Sequence, residues 1–231
     1  MQYSHSVPRS QASSFARPVA DEVGTMTEMG TVRTRRDEYA EATNAALLES
    51  AASCFFEHGF VATSLDEVAQ RARVTKGAIY HHFTSKRDLF MAVLEHQQAI
   101  SVGTVTAAGE SALDAWSAMV AAFDAFLESV SNPVYQRLCW IEGPAALGFT
   151  DWWETGERFE IDVIRRLLDR AHQAGVLEVA DLDMLAHVLF GAVAAGVLSM
   201  ARSENPNVER ERFRTVMLDL MAGLVRVERP T

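Results

Sequence analysis

The chain has 231 residues, of which 48% are hydrophobic and 23% are charged, and this balance excludes a wholly disordered polypeptide. Its formal net charge of −10 argues against a generic nucleic-acid binder, and its two cysteines are too few for a disulfide framework. The most apolar stretch, 184–201, is interrupted by His187, Gly191 and Gly196, so we expect a buried helix there and no membrane span. No secretory signal is visible, and a reducing cytoplasm is the expected compartment.

Residues 1–36 are rich in Ser, Thr, Arg and Gly, contain two prolines and show no periodicity. This composition predicts a disordered arm. Arg33, Arg35 and Arg36 end the arm, which is either a frayed terminus or a segment that reaches a DNA minor groove. Met26 and Met29 lie inside it, so a later start of translation stays open.

Residues 37–100 read as a series of helices. Apolar residues recur at helical spacing from Asp37 until Gly59, which predicts a first helix that ends at the glycine. The motif at 64–67, Ser-Leu-Asp-Glu, is a capping box and predicts a short second helix. Thr75 begins another short helix, and Ser85 begins a longer one.

A basic window lies among these helices. Residues 71–87 contain five cationic side chains and no acidic one, and they include both lysines of the chain, Lys76 and Lys86. Such a window on an acidic protein indicates either a focused site for an anion or an ordinary solvated face.

Longer helices are predicted beyond Gly103, and no window alternates with the period of two that a strand requires. The fold class is therefore all-α, with about nine helices in total. We expect a DNA-binding domain at 37–100 and a larger helical domain at 101–231. The predicted helices of the second domain span 113–130, 133–147 (with a distortion at Gly143-Pro144), 151–174, 181–203 and 208–227.

Two short helices joined by a turn, the second with a basic start, describe a helix-turn-helix. Gly77 and Ala78 are small enough to let the second helix approach a major groove, while Ile79 and Phe83 anchor its inner face. Tyr80 offers a hydroxyl to a phosphate, and Lys86 stands at a helix start that already favours an anion.

The segments FFEHGFVATSLDEVA (55–69), VTKGAIYHHF (74–83) and SKRDLF (85–90) resemble the DNA-binding domain of the tetracycline-repressor (TetR) family. The resemblance covers about residues 39–94 and is specific, because glycine, caps, aromatic residues and lysine all fall at the family's spacing. It implies contacts with double-stranded DNA, mostly with phosphates, with Lys76 and Ala78 nearest the base edges. The candidate DNA-binding residues are Ser64, Arg73, Thr75, Lys76, Gly77, Ala78, Tyr80, His81, His82 and Lys86.

Arg73 departs from the family pattern, which usually has glycine at this turn. A left-handed backbone would cost an arginine about 1 kcal/mol, and a phosphate contact would be a compensating gain. The neighbouring His81 and His82 point in different directions on a helix and have no evident third ligand, so no metal site is expected.

The resemblance also implies a homodimer in which the last two helices of each chain form a four-helix bundle. An apolar stripe at helical spacing on the last helix fits this, although an intramolecular core would need the same pattern. The candidate interface residues are Leu189, Ala192, Gly196, Phe213, Met217, Leu220, Met221 and Leu224.

Ten large aromatic residues, including all four tryptophans, lie between Leu113 and Phe190. Core helices seldom need so many rings, and apolar ligand pockets often do. Polar candidates inside such a pocket are Glu142, His172 and His187, whereas other helical carboxylates read as solvated faces. The candidate ligand-binding residues are Trp116, Met119, Phe123, Trp140, Glu142, Trp153, Phe159 and His187.

These features predict a ligand-responsive transcriptional regulator, most simply a repressor, that binds a palindromic operator as a homodimer and is released by a small hydrophobic or aromatic effector. A corepressor role for the ligand stays open, as does a regulator whose pocket is filled by its own side chains. An enzyme is the other class considered, but no nucleophile elbow, phosphate loop, metal-ligand spacing or paired acid motif is present in the sequence. No catalytic residue and no cofactor is expected.

Overall fold

A computed structural model describes the backbone of residues 35–225 and the side chains from residue 40 onward. The predicted arm lies outside the described residues, apart from its last two, with which the first helix begins. The helices are α1 Arg35–Ala62, α2 Leu65–Arg71, α3 Lys76–His82, α4 Lys86–Ser111, α5 Ala115–Ser131, α6 Pro133–Tyr135, α7 Gly143–Leu147, α8 Phe149–Gln173, α9 Leu182–Arg202 and α10 Pro206–Leu224.

A π-helical stretch, Gln136–Glu142, joins α6 to α7 without a break, and the three together form one rod, here called the π-helical rod. The described residues thus form nine helical rods, which confirms the all-α prediction. Within this part of the chain, the only β-type pairing is an isolated bridge between Leu177 and Val225.

Side-chain caps explain where many of these helices begin. Ser64 accepts from the amide of Glu67, whose carboxylate accepts from the amide of Ser64, so the predicted capping box is confirmed. The Thr75 hydroxyl accepts from the amide of Ala78 at the start of α3, and the Ser85 hydroxyl accepts from the amide of Asp88 at the start of α4. Each cap satisfies an amide that the first turn of a helix leaves without a partner.

Helix α1 turns sharply at Gly59, where φ is 79°. A side chain is disfavoured there, both by the positive φ and because a Cβ atom would lie 3.0 Å from Oε1 of Glu142. The hydroxyl of Thr63 donates to the carbonyl of Gly59 over 2.9 Å and so closes the turn. The glycine predicted to stop the first helix thus redirects the chain toward α2.

Helix α4 connects the two halves of the chain. Leu89 and Phe90 are buried with the N-terminal helices, whereas Ser101 and Val105 are buried farther along the same helix. The predicted boundary between residues 100 and 101 therefore falls inside a continuous helix, and the helices from Arg35 onward pack as one compact unit.

The distortion predicted at Gly143-Pro144 lies one turn earlier. The amide of Gly143 bonds to the carbonyl of Leu138, five residues back, and the carbonyl of Cys139 accepts the indole N–H of Trp152 over 2.6 Å. A Cβ atom on Gly143 would lie 2.8 Å from the Trp152 ring. The π-helical turn therefore releases a carbonyl that α8 uses to dock against this rod.

Helix α9 is less buried than the sequence predicted for 184–201. By length and composition it is apolar enough to cross a membrane, but only 33% of its most apolar stretch is buried inside this chain. Met184 and Val188 are exposed, whereas Ala186 and Phe190 are buried. One face of α9 therefore belongs to the core, and on the opposite face the described residues leave the apolar side chains of Met184 and Val188 exposed.

Candidate DNA-binding and effector sites

Helices α2 and α3 form the predicted helix-turn-helix. Val68 on α2 and Ile79 on α3 are fully buried between the helices, and Phe83 follows at the end of α3. The turn contains Arg73 with φ 56°, the only described residue other than glycine with a positive φ. The amide of Val74 donates to the carbonyl of Ala69 over 3.0 Å and closes this turn.

The ten candidate DNA-binding residues fall along the solvent side of this motif. Ala78, His82 and Lys86 are half-buried at its margin. The exposed members are Ser64, Arg73, Thr75, Lys76, Gly77, Tyr80 and His81.

Both lysines already have partners in the free protein. The ammonium group of Lys76 lies 2.7 Å from Asp66, which raises the pKa of this lysine, and 5.7 Å from the centre of the Tyr80 ring. The ammonium group of Lys86 donates to the carbonyls of Phe60 and Val61, over 2.7 and 2.9 Å. Lys76 has an exposed ion pair that an anion can replace at little cost, whereas Lys86 also holds the end of α1.

A cavity of about 100 Å³ lies between helices α4, α5, α8, α9 and α10. Two predicted ligand residues, Met119 and Phe123, line it. The other lining residues are Ser101, Val102, Val105, Ala122, Phe126, Glu160, Val163, Ile164, Leu167, Leu168, Leu189, Val193, Met217 and Met221. Apart from the Ser101 hydroxyl and the Glu160 carboxyl, every side chain in this set is apolar.

A second cavity of about 10 Å³ adjoins the first through Glu160, which lines both. Two further predicted ligand residues, Trp140 and Trp153, line this smaller space. Its other lining residues are Gln98, Cys139, Trp152, Gly156, Glu160 and Phe190. The rings form a connected cluster in which Trp153 meets Phe190 edge to face at 4.7 Å.

The structure does not bring the remaining predicted ligand residues to either cavity. Trp116 and Phe159 are half-buried elsewhere, and a guanidinium group, that of Arg158, lies over the Phe159 ring. His187 is exposed, with Nδ1 2.8 Å from the carbonyl of its helix neighbour Asp183. The histidine at 172 is also exposed, with its ring nitrogen near the carbonyl of residue 177.

Glu142 lies at the junction with the DNA-binding helices. Its carboxylate accepts from the backbone amide of Phe60 over 3.0 Å, immediately after the turn at Gly59. A second link joins the same regions, because Arg87 at the start of α4 pairs with Asp151 at the start of α8. Glu142 therefore connects the π-helical stretch to the end of α1, which leads into the helix-turn-helix.

Glu160 is the site residue that the sequence did not reveal. The residue is half-buried and lines both cavities. Desolvation of its carboxyl raises the pKa to about 8, and the nearby Tyr135 hydroxyl offsets part of this effect. Burial also raises the pKa values of Tyr135 and Cys139, and the charge of Glu160 adds to both effects. On α8 this glutamate stands among other charged residues, so its sequence neighbours gave no signal of burial.

Several polar atoms near Glu160 have no hydrogen-bond partner of acceptable geometry among the described residues. They are Oε1 of Gln98, the hydroxyl of Tyr135 and the indole N–H of Trp140, and all three residues are at least 95% buried. Unpartnered buried polar groups are costly, and in native proteins they indicate a bound molecule or water, or a functional role.

The predicted dimer residues divide into two groups. Leu189, Met217 and Met221 line the larger cavity within one chain, which corrects their assignment to an outward face. Phe213 also faces inward, because its ring fills the place of a side chain at Gly196: a Cβ atom there would lie 2.1 Å from the ring. Of the remaining members, Leu220 is exposed, whereas Ala192 and Leu224 are half-buried.

The described residues contain no group of three or more His, Cys, Asp or Glu side chains that could hold a metal ion. His81 and His82 lie side by side with their ring centres 5.7 Å apart, and no third ligand accompanies them.

A helix-turn-helix on one end and a larger helical region with an internal cavity define an all-helical DNA-binding regulator. Residues 47–93 match the family model for bacterial regulatory proteins of the tetR family, and residues 116–224 match the tetracyclin repressor-like C-terminal domain. The chain belongs to the TetR family of transcriptional regulators. The family is non-enzymatic, and this excludes the enzyme alternative.

Three relatives illustrate the similarity. A crystal structure of a TetR-family regulator from Pectobacterium atrosepticum is 31% identical, with a TM-score of 0.72 over 85% of this chain and 100% of the other. The transposon Tn10 TetC protein of Escherichia coli is 26% identical over 69% of this chain and 80% of its own length. SmeT, the repressor of the multidrug efflux pump SmeDEF of Stenotrophomonas maltophilia, is 25% identical, with a TM-score of 0.65 over 82% of this chain and 93% of the other.

Proposed function

We propose that this regulator is a repressor that binds a palindromic operator as a homodimer and is released by a small hydrophobic or aromatic effector. The observation that carries this proposal is the apolar cavity lined in part by α4, the same helix that begins beside the helix-turn-helix. The repressor SmeT is a relative over most of the chain, which favours repression over activation. The cytoplasm, where the operator would be found, is the expected place of action.

The exposed start of α3 would enter the major groove. Thr75, Lys76, Gly77 and Ala78 would approach the duplex closely, since two of the four have minimal side chains. The Lys76 ammonium would exchange Asp66 for a base edge or phosphate. Ser64, Arg73, Tyr80, His81, His82 and Lys86 would contact mainly the backbone of the DNA.

A second copy of the chain would cover the exposed apolar face of α9 and α10. Val188, Val216 and Leu220 are 56%, 64% and 46% exposed, which is unusual for so many large apolar side chains on two adjacent helices. Ala192 and Leu224 extend this face. Burial of the face against its own copy gives a two-fold dimer with two recognition helices.

The two contacts at the domain junction would carry the response. A ligand between α5 and α8 would displace α4, whose first turn lies beside the helix-turn-helix. The Glu142 bond to Phe60 would carry a movement of the π-helical stretch to the end of α1, and the Arg87–Asp151 pair would carry a movement of α8 to the start of α4. Operator binding requires recognition helices about 34–36 Å apart, so a tilt of α4 weakens it. The effector must prefer one of the two arrangements for this coupling to exist.

A thermal-shift screen of small apolar compounds, followed by operator-release assays on each compound that binds, tests the effector half of the proposal. We expect at least one compound to raise the melting temperature and to release DNA. A compound that instead strengthens operator binding would identify a corepressor. Failure of every compound to stabilise the protein would favour a regulator that does not respond to ligands.

Two lysine variants test the DNA half. Lys86→Ala should weaken binding to all DNA sequences. Because it removes one phosphate contact, it should also reduce the slope of log affinity against log salt concentration by about one. Lys76→Ala should change the sequence preference more than the salt dependence. Operator binding equal to that of the wild-type protein in both variants would contradict the assignment of α3 as the recognition helix.

A further inference from the structure

The polar chemistry of the two adjoining cavities is concentrated at one residue. Among the described residues that line them, Glu160 is the only one with a carboxyl, amino, guanidinium or imidazole group. No cation in either lining can neutralise its charge. The larger cavity offers apolar walls, and the smaller one adds a group of aromatic rings next to the same carboxyl.

Resting on the effector-binding function proposed above, we propose that these cavities bind a lipophilic ammonium compound and that the carboxylate of Glu160 is its counter-ion. The apolar body would occupy the larger cavity, against Phe123 and Phe126. The cationic head would lie at Glu160, where Trp140, Trp153 and Phe190 surround the smaller cavity.

The arrangement discriminates between classes of ligand. An anionic ligand would find no cation in the described lining of either cavity, whereas a cationic ligand gains the carboxylate and the nearby aromatic rings. A purely apolar ligand would leave Oε1 of Gln98 against apolar groups, whereas a cationic ligand places a positive charge near this carbonyl oxygen. The oxygen atoms of Glu160 and Gln98 therefore favour a cationic ligand over a neutral apolar one.

Binding of a cation also displaces a proton. Below about pH 8 the free carboxyl of Glu160 is mostly protonated, so a permanently charged ligand forms the ion pair only as the carboxyl releases its proton to the buffer. The titratable groups that face Glu160 are Tyr135 on α6 and Cys139 on the π-helical stretch, and burial keeps both neutral in this range. Helix α4 contributes the neutral side chains of Gln98 and Ser101, and the lining residues of α5, α9 and α10 are apolar.

The test uses the full chain and two probes of the same shape, the cation benzyltrimethylammonium and its uncharged isostere neopentylbenzene. Tryptophan fluorescence gives the affinity of each probe, and calorimetry in buffers of different ionisation enthalpy counts the protons released. We expect the cation to bind at least tenfold more tightly than the isostere at pH 8. Its affinity should rise roughly 50-fold between pH 6 and pH 8, with release of close to one proton at pH 6.

Two substitutions on the same helix give the matched comparison. Glu160→Gln should reduce the affinity for the cation at least tenfold at pH 8, abolish its pH dependence and leave the affinity for the isostere unchanged. Glu154→Gln, at an exposed position of α8, should behave as the wild-type protein does. Should the glutamine variant fail to fold, the proton count and the comparison of the two probes on the wild-type protein test the proposal without any variant.

Equal affinity of the wild-type protein for both probes, binding of neither probe, or release of no proton with the cation would overturn the proposal. Unchanged binding of the cation by Glu160→Gln would overturn it as well. Operator binding, measured on the same samples without any probe, separates this failure from that of the proposed function. A free protein that binds its operator but ignores the cation refutes only the ligand class, whereas loss of operator binding refutes the regulator assignment itself.

Discussion

Arg73 adopts a backbone conformation that favours glycine, and its exposed side chain has room to reach a phosphate. The strained turn is stable because Val68 and Ile79 hold α2 and α3 together on either side of it. A cost of about 1 kcal/mol is small beside the packing of two fully buried aliphatic side chains. We therefore interpret the arginine as a site at which stability is lost for a gain in DNA binding.

Arg73→Gly should raise the free energy of unfolding by about 0.5–1 kcal/mol. Removal of the strain stabilises the folded state by more than the added freedom of glycine stabilises the unfolded chain. In the same variant, the slope of log operator affinity against log salt concentration should become shallower by about one. Chemical denaturation and salt titrations measure the two effects. Arg73→Lys, which keeps both the charge and the strain, is the control; a glycine variant with unaltered salt dependence would show that Arg73 does not contact DNA.

Glu160 should make the stability of the protein fall as the pH rises. The unfolded chain releases this proton near pH 4.5, whereas the folded chain retains it up to about pH 8. Between these values the folded state binds more protons, so its free energy of unfolding decreases by up to about 5 kcal/mol as the pH rises. Above pH 8 this contribution no longer changes.

Glu160→Gln removes this contribution, so its free energy of unfolding should exceed that of the wild-type protein by a margin that grows from pH 5 to pH 8. Urea denaturation at several pH values measures the margin. Glu154→Gln on the exposed face of α8 should show no such trend. Parallel stability curves for the wild-type protein and Glu160→Gln would contradict the burial of this carboxyl.

At the scale of elements, local signals predicted the N-terminal helices well. Ser64, Thr75 and Ser85 cap the next amides along the chain, so their effect is readable from a few neighbouring residues. The burial of Glu160 depends instead on α4 and the π-helical rod, which are distant in sequence. The placement of Glu142 at the junction likewise depends on a contact 82 residues away.

The contact between α9 and α10 explains why small residues alone did not identify the outward face. Spacing predicted that Gly196 and Phe213 would both face a partner, but the ring of Phe213 occupies the space above the glycine and meets Phe123 edge to face. Helical periodicity shows that a face is apolar, but it does not show which neighbour covers that face.

Gly196→Ala should lower the free energy of unfolding by about 1–3 kcal/mol, because the new Cβ atom would lie 2.1 Å from the Phe213 ring, which must then move. Thermal or urea denaturation measures the loss. Gly103→Ala on α4, where nothing lies within 4 Å of the new atom, should instead stabilise the protein by about 0.5–1 kcal/mol. Equal effects of the two substitutions would contradict the close packing of α9 on α10.

At the scale of the whole molecule, α4 lies at the centre of both functions. It begins beside the helix-turn-helix with Lys86, and it lines the larger cavity with Ser101 and Val105. A single rigid helix of 26 residues can transmit a displacement at the cavity to the DNA-binding end without any linker. The basic window on an acidic chain places the positive charge that an anionic duplex attracts at that end.

The most direct measurement is the sequencing of genomic DNA fragments retained by the purified protein, with its oligomeric state recorded by sedimentation at the same concentration. A dimer that enriches a palindrome whose half-site centres lie one helical turn, or a multiple of it, apart is the expected result. A protein that remains a monomer and retains no fragment in preference to another at low salt would contradict the assignment of this chain as a dimeric operator-binding repressor.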